Sequence, residues 1–234
     1  MDDSGVHTIA SSTIVVIPAY NEGTILNTIV TSLLNKKYKV IVVDDGSNPS
    51  LQNQLQTSSI YYLRHKTNLG QGAALQTGFD FAINLHPKYI VSFDADGQHD
   101  INDIEALLKP LQNGIADITL GSRFLSDNPS QIPLSKKFVL YLARVINFLF
   151  TGMLLSDAHN GLRAFTISSL QKIRLTENRM AHASELLFEI KSSGLRYREV
   201  PVTIHYSDYS KGKGQSAWQG IQIVFDLVLH KLFK

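Results

Sequence analysis

Thr13-Ile14-Val15-Val16-Ile17-Pro18-Ala19-Tyr20-Asn21-Glu22 sets the reading of the whole chain. Its five β-branched residues in a row predict a strand, and Ile25, Leu26, Ile29, Val30, Leu33 and Leu34 then recur at helical spacing. The strand-then-helix unit repeats. Val40-Ile41-Val42-Val43 is a second strand; Ile60-Tyr61-Tyr62-Leu63 precedes a helix near Gly72 to Leu85; Tyr89-Ile90-Val91-Ser92-Phe93 precedes a helix from Ile104 to Leu111. Continuous apolar strands alternating with helices predict an α/β fold, a mostly parallel sheet covered on both faces.

At 234 residues and 44% hydrophobic composition, the chain can bury a full core and is short enough for one compact unit with a small appendage. A formal net charge of +2 is too small for a nucleic-acid binder, whose basic stripe dominates its charge balance. The absence of cysteine excludes a disulfide framework and thiolate zinc sites. Met1-Asp2-Asp3-Ser4 lacks the positive segment that opens a secretory signal, so a cytoplasmic protein is expected. Two stretches are apolar: Phe138 to Leu155, broken by Arg144 and Asn147, and Ala217 to Phe233, broken by Asp226, His230 and Lys231. Neither reads as a span; both fit helices lying in a membrane interface.

After Ile118-Thr119-Leu120-Gly121 the rhythm changes. A loop through Asn128-Pro129 and Ile132-Pro133, a long apolar helix and a late strand pattern from Arg196 to His205 follow, then a loop rich in Gly, Ser and Lys from Ser207 to Gln215. In the tail, Trp218, Ile221, Phe225, Val228, Leu229 and Leu232 form one helical stripe that must dock on something apolar. The expected division is residues 1–206 for the α/β domain and 207–234 for a loop and a C-terminal amphipathic helix.

Ligands of open parallel sheets collect beyond the carboxyl ends of the strands. Here those ends read Pro18-Ala19-Tyr20-Asn21-Glu22, Asp44-Asp45-Gly46-Ser47 and Asp94-Ala95-Asp96-Gly97-Gln98-His99. Three strands aiming carboxylates at one edge repel anions unless a cation is present. Mg2+ or Mn2+ resolves this, since such ions take oxygen ligands from one or two carboxylates and complete their shell with substrate phosphates. Either Asp-Gly turn alone is equally well explained as a strand terminator; together, at successive strand ends, they point to a site.

The segments Val16-Ile17-Pro18-Ala19-Tyr20-Asn21-Glu22, Val43-Asp44-Asp45-Gly46-Ser47, Asn68-Leu69-Gly70-Gln71-Gly72, Asp94-Ala95-Asp96-Gly97-Gln98, Gly121-Ser122-Arg123, Asp157-Ala158-His159-Asn160-Gly161-Leu162-Arg163 and Glu185-Leu186-Leu187 resemble family 2 glycosyltransferases. The likeness is to the dolichol-phosphate mannose synthase and polyprenyl-phosphate glycosyltransferase subgroup, and it covers almost the whole chain. It implies a GT-A fold and inverting transfer from a UDP- or GDP-type sugar. Pro18, Tyr20, Glu22 and Asp44 would line the nucleotide pocket; Asp94, Asp96 and Gln98 would sit at the metal. Asp45, Gly70, Gln71, Ala95, Arg163 and Lys213 complete the expected donor-side set.

Arg123 and Arg163 each follow a glycine-containing turn, and a guanidinium can grip phosphate through two parallel hydrogen bonds. A structural salt bridge to Asp157 or Glu185 is the alternative for each. His205 to Ser216 occupies the place of the basic acceptor loop of the family but departs from its usual Arg-x-x-Gly-x-Ser-Lys order. Two acceptors are compatible with these residues. A polyprenyl phosphate at the inner membrane face is already anionic and needs no base, whereas a glycan hydroxyl would require a carboxylate such as Glu185 or Asp157 to take its proton. A membrane-bound partner protein could complete the tail. A non-catalytic nucleotide-sugar-binding subunit is a third reading, against which the retained Asp94, Asp96 and Gln98 argue. Asp96, Arg123, Asp157 and Glu185 are thus the candidate catalytic residues.

Overall fold

The computed structural model describes residues 9–125 except 56 and 58, residues 145, 148 and 149, and residues 152–205, with the side chain of Thr24 excepted. Its strands are β1 (Thr13–Ala19), β2 (Lys39–Asp44), β3 (Tyr61–Arg64), β4 (Tyr89–Ser92), β5 (Ile118–Ser122), β6 (Arg163–Thr166) and β7 (Tyr197–Pro201). Its helices are α1 (Thr24–Asn35), α2 (Gln71–Asn84), α3 (Asp103–Gln112), the single turn α4 (Ile167–Leu170) and α5 (His182–Ser192), with a 3-10 turn at Leu51–Gln54. The strands form one sheet in the order β3-β2-β1-β4-β6-β5-β7.

Side chains alternate across a strand, and here both faces are buried. Val15 and Ile17 of β1 join Val40, Val42 and Val91 in a core with Leu26, Val30 and Leu33 of α1 and Ile104, Leu107 and Leu111 of α3. On the other face, Ile14, Val16, Ile41, Val43 and Ile90 pack with Ala74, Leu75 and Phe79 of α2 and Leu186, Leu187 and Ile190 of α5. The mostly parallel sheet read from the apolar runs is therefore present: β1, β2, β3 and β4 run parallel, as do β5 and β7. The exception is β6, which lies antiparallel between β4 and β5. Successive strands leave β1 in opposite directions, toward β2 and β3 on one side and β4 on the other, so the switch point falls between β1 and β4.

The apolar stretch to Leu155 was expected to be helical throughout, and its end is not. The Gly152 amide donates to the carbonyl of Phe148 at 2.8 Å and Gly152 takes a φ of +67°, the left-handed residue that commonly stops a helix. Met153 and Leu155 beyond it are buried in the α2/α5 core. The rest of that stretch, the loop with Lys211 and Lys213, and the C-terminal stripe lie outside the described residues. No helix among the described residues is long and apolar enough to cross a membrane.

Candidate active site

The turns after β1 and β2 are stitched to each other. The Asp45 amide donates to the Ala19 carbonyl, the Asn21 amide to Ser47 Oγ at 2.8 Å, and the Asn48 amide to Asn21 Oδ1 at 3.1 Å. Asp44 is fully buried. Its Oδ1 accepts from the Ser47 amide; its Oδ2 accepts from the Leu51 amide and the Tyr62 hydroxyl, with Arg64 Nε 3.4 Å away. Burial pushes its carboxyl up, but the bonds from Ser47, Tyr62 and Leu51 outweigh this and hold it below the usual carboxylate range. Asp45 does the same for the next turn, accepting from the amides of Leu69 (2.9 Å) and Gly70 (2.7 Å) and from His65 Nδ1 (2.7 Å). Both aspartates thus shape the walls of the crevice. Pro18 is buried in β1, and Tyr20 is exposed on the rim.

Asp94 sits at the switch point just beyond β4, its side chain 26% exposed. Gln71 Nε2 donates to its Oδ1 at 2.9 Å and His99 Nε2 to its Oδ2 at 3.1 Å. Gly161 is what lets the loop before β6 pass: a Cβ there would lie 2.0 Å from Asp94 Oδ2. Asp96 accepts from the Gln98 amide at 3.0 Å. Its carboxyl is raised, first by burial and then by the charge of Asp94, with Glu22 adding to the rise. Burial pushes the carboxyl of Asp94 up, but the bond and charge of His99 and the charge of Arg163 outweigh this and hold it lowered. Glu22, Asp94 and Asp96 therefore converge from β1 and β4, with Ala95 buried between the aspartates.

The basic half comes from later in the chain. The antiparallel register sets Arg163, the first residue of β6, opposite Ser92 at the end of β4 and opposite Leu120 near the end of β5. Its residue surface is 4% exposed, and its guanidinium makes no hydrogen bond or ion pair with any described residue. Burial depresses its pKa to about 10 despite the charges of Asp94 and Asp157. Arg123 differs: its Nε is 2.6 Å from Asp157 Oδ2, which also accepts from the Arg123 amide (3.1 Å) and Asn160 Nδ2 (3.3 Å). The salt-bridge alternative thus holds for Arg123 and not for Arg163. Glu199 of β7 supports this corner, accepting from the amides of Ser156 and Asp157 and from Ser156 Oγ.

Glu185 stands apart from these carboxylates. Its oxygens accept from the Thr176 amide and hydroxyl and from the Glu177 amide, closing the turn before α5. That turn leans on Gly70 and Gly72, with the Ala73 amide donating to the Asn178 carbonyl at 3.1 Å.

A family model, Glycosyl transferase family 2, matches residues 14–174, from the second residue of β1 through α4, and leaves out only the turn before α5, α5 itself and β7 among the parts of the site above. The chain belongs to this family. The glycosyltransferase is 32% identical over 242 residues to the UDP-N-acetylglucosamine--dolichyl-phosphate N-acetylglucosaminyltransferase of Methanococcus voltae, covering 94% of this chain and 96% of that one. It is 28% identical to the polyprenol monophosphomannose synthase of Mycolicibacterium smegmatis, covering 82% and 76% of the two chains. Among solved structures, the mannosyl-3-phosphoglycerate synthase of Rubrobacter xylanophilus superposes with a TM-score of 0.62 at 10% identity, covering 95% of this chain and 75% of that one. The fold is GT-A.

For this glycosyltransferase, sequence reasoning gave no role to His99 or Gly161, though both stand in the segments quoted, and it did not single out His182. The signal for His99 was in plain view, three residues beyond Asp96. His182 has no motif around it; only the packing of α5 against α2 brings it to the site.

Proposed function

We propose that the chain transfers a sugar from a nucleotide-sugar donor to a polyprenyl phosphate, with inversion and with Mg2+ or Mn2+. The observation that carries this reading is the buried guanidinium of Arg163, which feels the charge of Asp94 and makes no hydrogen bond or ion pair with any described residue. A buried cation with no directly bonded partner is costly, and a phosphate would offset the cost. The two carboxylates that could serve as a base for a hydroxyl acceptor, Asp157 and Glu185, already accept several hydrogen bonds each. An anionic acceptor fits this arrangement, because it brings its own nucleophilic oxygen and needs a cation rather than a base. The names of the Methanococcus and Mycolicibacterium relatives support the same acceptor class.

The residues present fit a divalent ion. Asp96 is raised by the charge of Asp94, a repulsion that a shared cation would relieve, and Gln98 lies two residues on. Among the described residues no group of three or more acidic or imidazole side chains could hold a metal by itself, so Asp94 and Asp96, with Gln98, would hold it jointly with the donor's diphosphate. When bound, the ion supplies charge neutralisation to the leaving diphosphate. Glu22 and Tyr20 would meet the nucleoside, while Asp44, Asp45, Gly70 and Gln71 hold the walls and Asp94 in place. In the reaction a phosphate oxygen of the acceptor, drawn by Arg163, bonds to the anomeric carbon as the bond to the diphosphate breaks on the opposite face. Arg123 and Asp157 fix the loop that carries Arg163.

On the acceptor side, Phe148, Leu149 and Leu154 stand exposed, Leu149 at 74%. They favour an apolar surface nearby, and with the tail 207–234, Lys213 included, they suit peripheral attachment at the inner membrane face, alone or with a membrane-bound partner. The test is a transfer screen over UDP- and GDP-sugars with Mg2+ or Mn2+, with and without polyprenyl phosphate in detergent. Sugar moved to the lipid phosphate is the expected result; transfer to a saccharide hydroxyl with none to the lipid would refute the acceptor assignment.

A further inference from the structure

His182 opens α5 and is 4% exposed. Its Nδ1 lies 2.7 Å from the carbonyl oxygen of Arg179. A carbonyl only accepts, so the ring proton is on Nδ1 and the lone pair is on Nε2. Burial pushes the imidazole down to about 4, against the opposing pull of the Arg179 carbonyl and the nearby carboxylates, so the ring is neutral at neutral pH. Nε2 makes no hydrogen bond to any described residue. The ring cannot withdraw toward α2, because the first turn of that helix approaches so closely that a Cβ on Gly72 would lie 2.7 Å from His182 Cβ. The charges that bear on the ring are those of Arg163, Asp94 and Glu185. Two of these belong to the site, and Glu185 is engaged in its own turn.

A group that only accepts, and that feels the charges of a buried cation and a cation-seeking carboxylate, complements a ligand with anionic oxygens beside an O–H. In a nucleotide sugar, two parts adjoin the diphosphate and carry hydroxyls: the ribose and the transferred sugar. The ribose belongs with the nucleoside at the β1 and β2 turns, on the far side of Asp94 from Arg163. We infer that Nε2 of His182 accepts a hydrogen bond from a hydroxyl of the donor's sugar, which makes His182 a specificity-determining residue. This rests on the nucleotide-sugar reading above. A site built around such a bond rejects the analogue that lacks the hydroxyl, because the acceptor, on a residue largely screened from water, then loses its partner.

Two substitutions separate this role from a structural one. His182→Asn keeps an N–H where Nδ1 stands, preserving the bond to Arg179, and removes the acceptor. His182→Gln places an acceptor at the reach of Nε2 and gives up the Arg179 bond. Each variant and the native protein are assayed for kcat/KM with the preferred nucleotide sugar and its monodeoxy analogues, and for nucleoside diphosphate affinity by calorimetry. The native enzyme should lose about tenfold or more with one analogue. His182→Asn should be about tenfold slower with the full sugar, show no further loss with that analogue, keep the penalties for the others, and bind nucleoside diphosphate as before. Identical deoxy penalties in the native enzyme and His182→Asn would overturn the inference while leaving the nucleotide-sugar reading intact. If His182→Asn fails to fold by circular dichroism, His182→Leu, which fills the space with no acceptor, decides: loss of the single penalty there, with its return in His182→Gln, supports the role, and its retention in His182→Leu overturns it. A native protein that neither binds nor hydrolyses any nucleotide sugar removes the parent reading, and the inference with it.

Discussion

A single methyl group added at Gly161 tests how the acidic half of the site is held. In Gly161→Ala the new carbon would lie 2.0 Å from Asp94 Oδ2, 2.6 Å from its Cγ and 2.8 Å from Oδ1. Comfortable contact begins at about 3.5 Å, so the carboxylate must move by roughly 1.5 Å. The loop has little room to yield instead, since the Gly161 carbonyl accepts from Ser92 Oγ at 2.8 Å and the Leu162 amide donates to Asn160 Oδ1 at 3.0 Å. A shift of that size breaks one or both of the bonds from Gln71 (2.9 Å) and His99 (3.1 Å). Each charged hydrogen bond contributes about 1.5–3 kcal/mol, and solvent at the partly open carboxylate returns part of it. The net cost to stability is therefore about 1–3 kcal/mol, a fall in Tm of about 2–10 °C for a chain of this size. Displacing a catalytic group by 1 Å costs on the order of 10²-fold in rate, so turnover should fall much further than stability. Differential scanning fluorimetry and a metal-dependent donor-hydrolysis assay read the two effects. A variant that melts like the native protein and turns over within threefold of it would refute the packing of Gly161 on Asp94 as a determinant of the site.

Arg163→Met removes a buried cation that no described residue bonds directly; Tm should rise, or at least hold, while nucleoside diphosphate or lipid-phosphate binding by calorimetry falls tenfold or more, and a large loss of stability would show that the guanidinium is tied within the fold. Asp96→Asn should leave the fold intact by circular dichroism and abolish Mg2+- or Mn2+-dependent turnover, with a loss on the order of several kcal/mol of barrier lowering; unchanged turnover would remove the cation assignment. The carboxyl of Asp44 is depressed in the fold, so the stability it contributes is present above its unfolded value of about 3.9 and is lost as pH falls through the folded value. Asp44→Asn should therefore lower Tm at pH 7 and flatten its acid dependence below about pH 4, and equal acid slopes in the two proteins would count against the Ser47, Leu51 and Tyr62 bonds. Glu185→Gln should lower Tm by weakening the turn at Thr176 and Glu177 yet keep the shape of the pH–rate profile; loss of a limb of that profile would restore Glu185 as a base.

The strands that could be read from sequence were those with long apolar runs. β1, β2 and β4 are buried on both faces, so their residues need not alternate, and their carboxyl ends announced themselves by the sudden change to Asp, Asn and Glu. β6 gave no such signal. Four residues beginning with an arginine look like a loop, and only the gap between β4 and β5 makes Arg163-Ala164-Phe165-Thr166 a strand. The helix expected to reach Leu155 was extended too far because Met153 and Leu155 are apolar for another reason: they turn into the core after Gly152. Arg123 and Arg163 were alike in sequence, each set after a glycine turn. Asp157 separates them, because its carboxylate lies within bonding distance of one and not of the other. Glu185 read as a possible base because a carboxylate in a motif invites a catalytic role, and periodicity says nothing about which amides it will meet.

The insertion of β6 also orders events in the life of the chain. Residues 13–122 carry β1 to β5 and with them the whole acidic half of the crevice, Glu22, Asp94 and Asp96, but β4 and β5 do not touch as neighbours until β6 lies between them. Until then each presents a row of unpaired backbone groups, the kind of edge that recruits foreign strands. The same four residues that seal those edges deliver the guanidinium. A partly synthesised chain thus carries Glu22, Asp94 and Asp96 at its mouth before Arg163 joins them, and the guanidinium arrives in the same step as the closed sheet.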